Sequence, residues 1–315
     1  MMDFRGIWPA LVTPLTPQGQ LDVPATERLI DGLVAAGIGG LYVCGGTGEG
    51  VLLPEDVRRQ MAEVAVARAR GRVPVMVHVG ALRTETAVEL ARHANQVGCD
   101  AISAVPPFYY SLGFEAVKRH YAAITDASKV PLYIYHIPGA TGVSLSLDQL
   151  LELCAMEGIA GLKYSSHDLY TLSRLLAARD PERVTVLSGP DELFLPCYSL
   201  GADGAIGTTY NFMPRLYIDI IGAVQHHDLA TARRLQFAAN DIIAVLLRYG
   251  AIPATKALLG MIGYDVGQGM PPMPPVEGDD LTALRQDLED AGLFGLLRRH
   301  AIYGPEGDPA RGDLA

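Results

Sequence analysis

The chain has 315 residues, long for an ordinary domain and normal for one α/β barrel with an extension. With 49% hydrophobic and 19% charged residues it carries enough apolar material for a large core, which excludes a disordered chain. The net charge of −10, without a basic run or aromatic ladder, argues against a nucleic-acid partner, and no apolar run reaches the ~18 residues of a membrane span.

In chain order, short apolar runs rich in Val, Ile and Tyr alternate with amphipathic stretches. The runs predict eight buried parallel strands, at Gly6–Thr13, Gly40–Cys44, Pro74–Val79, Ala101–Val105, Leu132–His136, Ala160–Tyr164, Val184–Ser188 and Gly204–Thr208. Strands two, four, six and eight each follow a helix-ending glycine: Gly37, Gly98, Gly158 and Gly201. Strands three, five and seven follow a basic residue and a valine, at Arg72, Lys129 and Arg183. The rhythm predicts a (β/α)8 TIM barrel with a C-terminal helical extension. An open doubly wound sheet is the competitor, but the first strand ends in Leu-Val-Thr-Pro-Leu rather than a nucleotide-binding glycine loop.

Later helices are expected at Pro214–His227, Leu229–Tyr249, Ile252–Ile262 and Asp280–Arg299, with Gly267–Pro275 unable to form a helix interior. The expected organisation is a barrel core over 1–212, then 213–303 as the last barrel helix and a helical extension of the same domain. A flexible tail is expected over 304–315. The four cysteines lack a C-x-x-C pair and read as small buried hydrophobes in a reducing compartment. No leader precedes the first strand, so a cytoplasmic enzyme is the natural class.

Barrel enzymes place their chemistry at the C-terminal ends of strands. Of four lysines, only Lys163 falls in a strand, whereas Lys118, Lys129 and Lys256 fall on a charged helix face, in a loop and on a late helix. Burial disfavours an ammonium, and a neutral amine is what attack on a ketone needs. Tyr135 ends the neighbouring strand, where its hydroxyl would shuttle a proton or simply bond to backbone. The loop Gly45-Gly46-Thr47-Gly48-Glu49 offers amides for an anion. Asp191 and Glu192 would hold sugar hydroxyls or face solvent. No histidine has metal-ligand spacing at a strand end, so no metal is expected.

Together these residues resemble the dihydrodipicolinate synthase / N-acetylneuraminate lyase family from about Arg5 to Met261. The shared motifs are G-x-[ST]-G-E at Gly45–Glu49, Y-x-x-P at Tyr135–Pro138, and the strand-six lysine Lys163. Gly40-Leu-Tyr-Val, Pro107-Phe-Tyr-Tyr, Asp168-Leu-Tyr, Asp191-Glu192 and Thr209-Tyr-Asn read like the sialic acid lyases. The resemblance implies an imine between Lys163 and a keto carbon, with no other cofactor, and Tyr135 as proton donor and acceptor. It implies that Gly46 and Thr47 hold the substrate carboxylate, and that Ser165, Gly189, Asp191, Glu192 and Thr208 contact a polyol chain. It also implies a homotetramer in which Tyr109 reaches a neighbouring subunit's site.

Two positions depart from family patterns. Ala140 stands where the synthase branch carries an arginine for a second carboxylate, so synthase activity ranks low. Gly46 stands where the family has a Ser or Thr that relays protons to the tyrosine. Some keto-deoxy-sugar-acid dehydratases of the family also read Gly-Gly-Thr-Gly-Glu. The expectation is therefore a lyase cleaving a 2-keto-3-deoxy sugar acid, foremost N-acetylneuraminate, to pyruvate and an aldehyde. A dehydratase working through the same imine, and a non-catalytic sugar-acid binder, are the alternatives.

Overall fold

The computed structural model describes residues 3–300; the expected tail at 304–315 lies outside the described residues. Eight parallel strands form one sheet: β1 Gly6–Pro9, β2 Leu41–Val43, β3 Val75–His78, β4 Ala101–Ala104, β5 Leu132–His136, β6 Ile159–Tyr164, β7 Thr185–Ser188 and β8 Gly204–Gly207. The order β1-β8-β7-β6-β5-β4-β3-β2 brings the two end strands together, where Ala10 bridges Tyr42 and the Leu11 amide donates to the Tyr42 carbonyl at 2.8 Å. The expected barrel is what forms, although β1 stops at Pro9, short of the expected Thr13. After Ala10 and Leu11, whose amides still reach Gly207 of β8 and Tyr42 of β2, the bonds leave the ladder: Val12 donates to the Asn211 side chain at 3.1 Å and Leu15 to the Val266 carbonyl at 3.0 Å.

The helices between strands are α1 Val23–Ala35, α2 Glu55–Ala69, α3 Thr84–Val97, α4 Phe114–Asp126, α5 Pro138–Thr141, α6 Leu147–Ala155, α7 Leu169–Ala178 and α8 Phe194–Ser199. After β8 come α9 Pro214–Gln225, α10 Leu229–Arg248, α11 Ala251–Met261, α12 Gly278–Asp290 and α13 Leu293–His300. The single helix expected at Asp280–Arg299 is two: Gly292 takes φ 81°, a left-handed conformation that ends α12 and lets the chain turn. No single described helix is long and apolar enough to cross a membrane.

The odd and even strand starts have a physical basis. Gly37, Gly98, Gly158 and Gly201 all have positive φ, between 80° and 103°, as helix-stopping residues do. Two residues after Gly98 and Gly201, the carboxylates of Asp100 and Asp203 accept the amides of Val75 and Val186, each at 2.8 Å, pinning neighbouring strands. Arg183, before β7, donates to the carbonyls of Ala155 and Met156 at the end of α6.

The apolar mass divides in two. A large layer lies between barrel and helices, and a smaller cluster fills the barrel itself: Trp8, Met76, Tyr133, Leu187 and Ile206 with Tyr42 and Tyr135. Alternation along each strand decides which residues point in. In β6 it sends Gly161 and Lys163 inward. Gly161 must be bare, because a Cβ there would stand 2.3 Å from the Tyr133 ring. The ring closes the barrel below, and Lys163 occupies the layer above it.

Candidate active site

Lys163 is 3% exposed, in the barrel's interior, and pairs across the sheet with Tyr135 of β5. Its amine lies 4.2 Å from the centroid of the Tyr135 ring and 4.6 Å from that of Tyr42. The two rings meet edge to face at 6.1 Å. An aromatic slot of this kind restricts the amine to a narrow range of positions and presents π-density in either protonation state. Tyr42 is anchored by its hydroxyl, which donates to Ser103 at 3.3 Å.

His78, the last residue of β3, stands edge-on to Tyr135 at 5.9 Å. Its Nδ1 faces the Cys44 carbonyl at 3.1 Å and its Nε2 accepts the Val105 amide at 3.3 Å. Only the neutral ring with its proton on Nδ1 satisfies both. Burial holds His78 down to about 3, helped by the charges of Arg58 and Lys163. Arg58 is itself buried and donates to the carbonyls of His78 and Gly80. His78 therefore fixes the start of the glycine loop and donates no proton to solvent chemistry near neutrality.

Over this slot runs the loop after β2. Gly45, Gly48 and Gly50 cannot carry side chains: a Cβ would lie 2.2 Å from the Tyr42 ring, 2.8 Å from the Leu11 carbonyl and 1.8 Å from the Cys44 carbonyl. At Gly46 the nearest atom is the Tyr135 hydroxyl, 3.8 Å away, which is ordinary contact. Among the described residues no hydrogen bond reaches that hydroxyl. Thr47 meets Thr208, their hydroxyls 2.7 Å apart, which ties the β2 loop to the end of β8.

The opposite wall comes from β6, β7 and β8. Ser165 lies over Gly189, where a Cβ would be 1.7 Å from its hydroxyl. Asp191 is buried, not solvent-facing, and one carboxylate oxygen accepts both the amide and the hydroxyl of Thr209, at 2.8 and 2.7 Å. Its other oxygen has no hydrogen-bond partner among the described residues. Burial pushes the Asp191 carboxyl up to about 6, against the two bonds from Thr209. Glu192 is more open and meets His167 at 2.8 Å. Gly189, Asp191, Glu192 and Thr208 line one recess with Ile243, Leu246 and Leu247 of α10. The four cysteines are buried and unpaired, and among the described residues no cluster of three His, Cys, Asp or Glu side chains could hold a metal.

The sequence matches the dihydrodipicolinate synthetase family over residues 3–291. The chain belongs to that family. It is 40% identical over 285 residues to the N-acetylneuraminate lyase of Rhizobium meliloti, covering 90% of this chain and 94% of that one. Among solved structures, CdNal from Clostridium difficile, in complex with mannosamine, superposes with a TM-score of 0.88 at 32% identity, over 92% of this chain and 99% of that one. YagE from Escherichia coli K12, a family member in complex with pyruvate, gives 0.87 at 28% identity, over 92% and 99%. The chain is a class I aldolase-type lyase: enzymes of this family act on small keto acids through a lysine Schiff base and need no external cofactor.

Nine of the ten site residues expected from sequence lie at the C-terminal ends of β2, β5, β6, β7 and β8. Tyr109 stays apart, 83% exposed against Tyr110 and with φ 78°. Sequence reasoning missed Tyr42 and His78. Strand alternation points Tyr42 inward, and the strand-end rule that selected Lys163 also selects His78. It also passed over Glu49 and Lys256, whose pairing joins opposite ends of the chain and has no local signal.

Proposed function

We propose that this enzyme cleaves a 2-keto-3-deoxy sugar acid, foremost N-acetylneuraminate, with Lys163 as the Schiff-base lysine. The observation that carries the reading is the confinement of one amine, in the barrel's interior, between Tyr42 and Tyr135 and beneath the Gly46–Thr47 turn. The lyases at about 40% identity support the choice of substrate.

In this reading Gly46 and Thr47 hold the substrate carboxylate, which places the adjacent keto carbon over Lys163 Nζ. The amine adds to that carbon, and loss of water gives a protonated imine, which acts as an electron sink. Tyr135 accepts the proton of the C4 hydroxyl as the C3–C4 bond breaks. The aldehyde leaves, and the bonding pair remains as an enamine. Protonation of the enamine at C3 and hydrolysis release pyruvate and free the lysine. Ser165, Gly189, Asp191, Glu192 and Thr208 bind the remainder of the sugar. The barrel and C-terminal helices work as one domain in a cytoplasmic homotetramer, in which Tyr109 reaches a neighbouring subunit's site.

Gly46 supports a second reading. The space beside the Tyr135 hydroxyl suits a dehydratase, in which the same imine drives loss of a substrate hydroxyl as water. Incubation with N-acetylneuraminate, scored for pyruvate and N-acetylmannosamine, tests the first reading. Stoichiometric release of both is the expected result. Failure to cleave it, with water loss from a keto-deoxy aldarate, favours the second.

A further inference from the structure

Glu49 belongs to the glycine loop, yet the steps above do not use it. Its side chain is 0% exposed, and so nearly is that of Lys256 on α11, at 1%. The carboxylate and ammonium are 2.6 Å apart. The Lys256 ammonium also donates to the Gln268 carbonyl at 2.8 Å, and the second Glu49 oxygen accepts the Met270 amide. Three segments distant in sequence thus meet at one buried pair: residues 45–50, helix α11 and residues 268–270.

The loop needs an external hold. Glu49 has φ 59°, left-handed and unfavourable for a side chain-bearing residue, as does Cys44 at the other end of the turn. Such backbone persists only where surrounding contacts over-determine it. The turn closes through the Glu49 amide on the Gly46 carbonyl at 2.9 Å and the Gly50 amide on the Gly45 carbonyl at 3.0 Å. Whatever fixes Glu49 therefore fixes Gly46 and Thr47. A buried ion pair is poor evidence for stability as such, since apolar groups of equal volume often serve as well. What it supplies here is a directional link between the C-terminal helices and the turn.

We propose that Glu49 and Lys256 are positioning residues for the substrate carboxylate: they hold the Gly46–Thr47 turn in register with Lys163 from outside the barrel. This inference rests on the reading of Lys163 as the imine lysine and of the turn as the carboxylate cradle. It makes the helices after β8 part of the site's machinery.

The test uses Glu49→Gln, Lys256→Met and the double variant, which leaves neither charge buried alone and so preserves folding best. Each is titrated with pyruvate under borohydride, and the reduced adduct on the Lys163 peptide is quantified by mass spectrometry. Acetone, a ketone without a carboxylate, is titrated in parallel, and circular dichroism verifies the fold. The expected result is that half-maximal labelling needs roughly tenfold more pyruvate or beyond, as for loss of one charge-assisted contact, while the acetone titration stays with the parent. If a folded variant matches the parent with pyruvate, or loses pyruvate and acetone alike, the pair only supports the fold and the proposal is overturned. Absence of any adduct in the parent overturns instead the reading of Lys163.

Discussion

Gly46 differs from the other glycines of its loop in having room for a side chain. Gly46→Ser should fold with an unaltered melting temperature, whereas Gly45→Ser, forced into the Tyr42 ring, should melt several degrees lower. The same Gly46→Ser should raise pyruvate release from N-acetylneuraminate, because its hydroxyl falls beside that of Tyr135; an unchanged or lower rate would mean that the enzyme's own relay lies elsewhere. At Asp191 the expectation concerns pH. Folding raises its carboxyl from the ordinary 3.8 to about 6, so the ionised form costs stability above pH 6 and that cost fades as pH falls toward 3.8. Substrate binding has the opposite sign if the carboxylate must accept sugar hydroxyls. KM should rise as pH falls through about 6 in the parent and lose that inflection in Asp191→Asn. Lys163 was legible in the sequence because lysines are few and only one falls in an apolar run. The Asp191–Thr209 bonds were not, because burial of a loop acid depends on what α10 lays over it.

At the scale of elements, the alternation of strands and helices was legible because each strand is a short apolar run closed by turn residues. Strand ends were less so. The expected residues 10–13 of strand one keep an apolar pattern, and the Ala10 and Leu11 amides still reach β8 and β2, but at Val12 the amide turns to the Asn211 side chain and the strand ladder is lost. The expected helix at Asp280–Arg299 hid a break at Gly292, since a glycine inside an amphipathic pattern does not announce its φ. The β2–β3–β4 junction carries its own prediction. His78 joins Cys44 to Val105 as a neutral ring held near 3, against 6.5 when unfolded. A depressed histidine lends stability that is complete above pH 6.5 and is lost as pH falls toward 3, a change on the order of 5 kcal/mol. Replacing His78 with Asn should flatten acid unfolding across that interval. If urea midpoints at pH 7 and pH 4.5 differ as much in the variant as in the parent, another group governs the acid limb.

Over the whole molecule, the helices after β8 do more than cover the barrel. α11 reaches the glycine loop through Lys256, and α10 reaches the recess wall through Gln236, which donates to the Asp191 carbonyl at 3.0 Å. Neither link is local in sequence, so composition and periodicity show only that helices follow the barrel. The exposed Tyr109 belongs to this scale as well. If the enzyme is a tetramer in which Tyr109 completes a neighbour's site, Tyr109→Phe should lower turnover about tenfold or more while sedimentation still gives one tetrameric species. Parent-like turnover in an intact tetramer would leave Tyr109 as surface only. The expectations about turnover and substrate binding stand on the imine. Borohydride reduction in the presence of pyruvate, followed by peptide mass spectrometry, measures it directly. One adduct per chain is expected, on Lys163, with none in Lys163→Met; no adduct, an adduct on another lysine, or one that persists in Lys163→Met would mean that Lys163 does not form the imine.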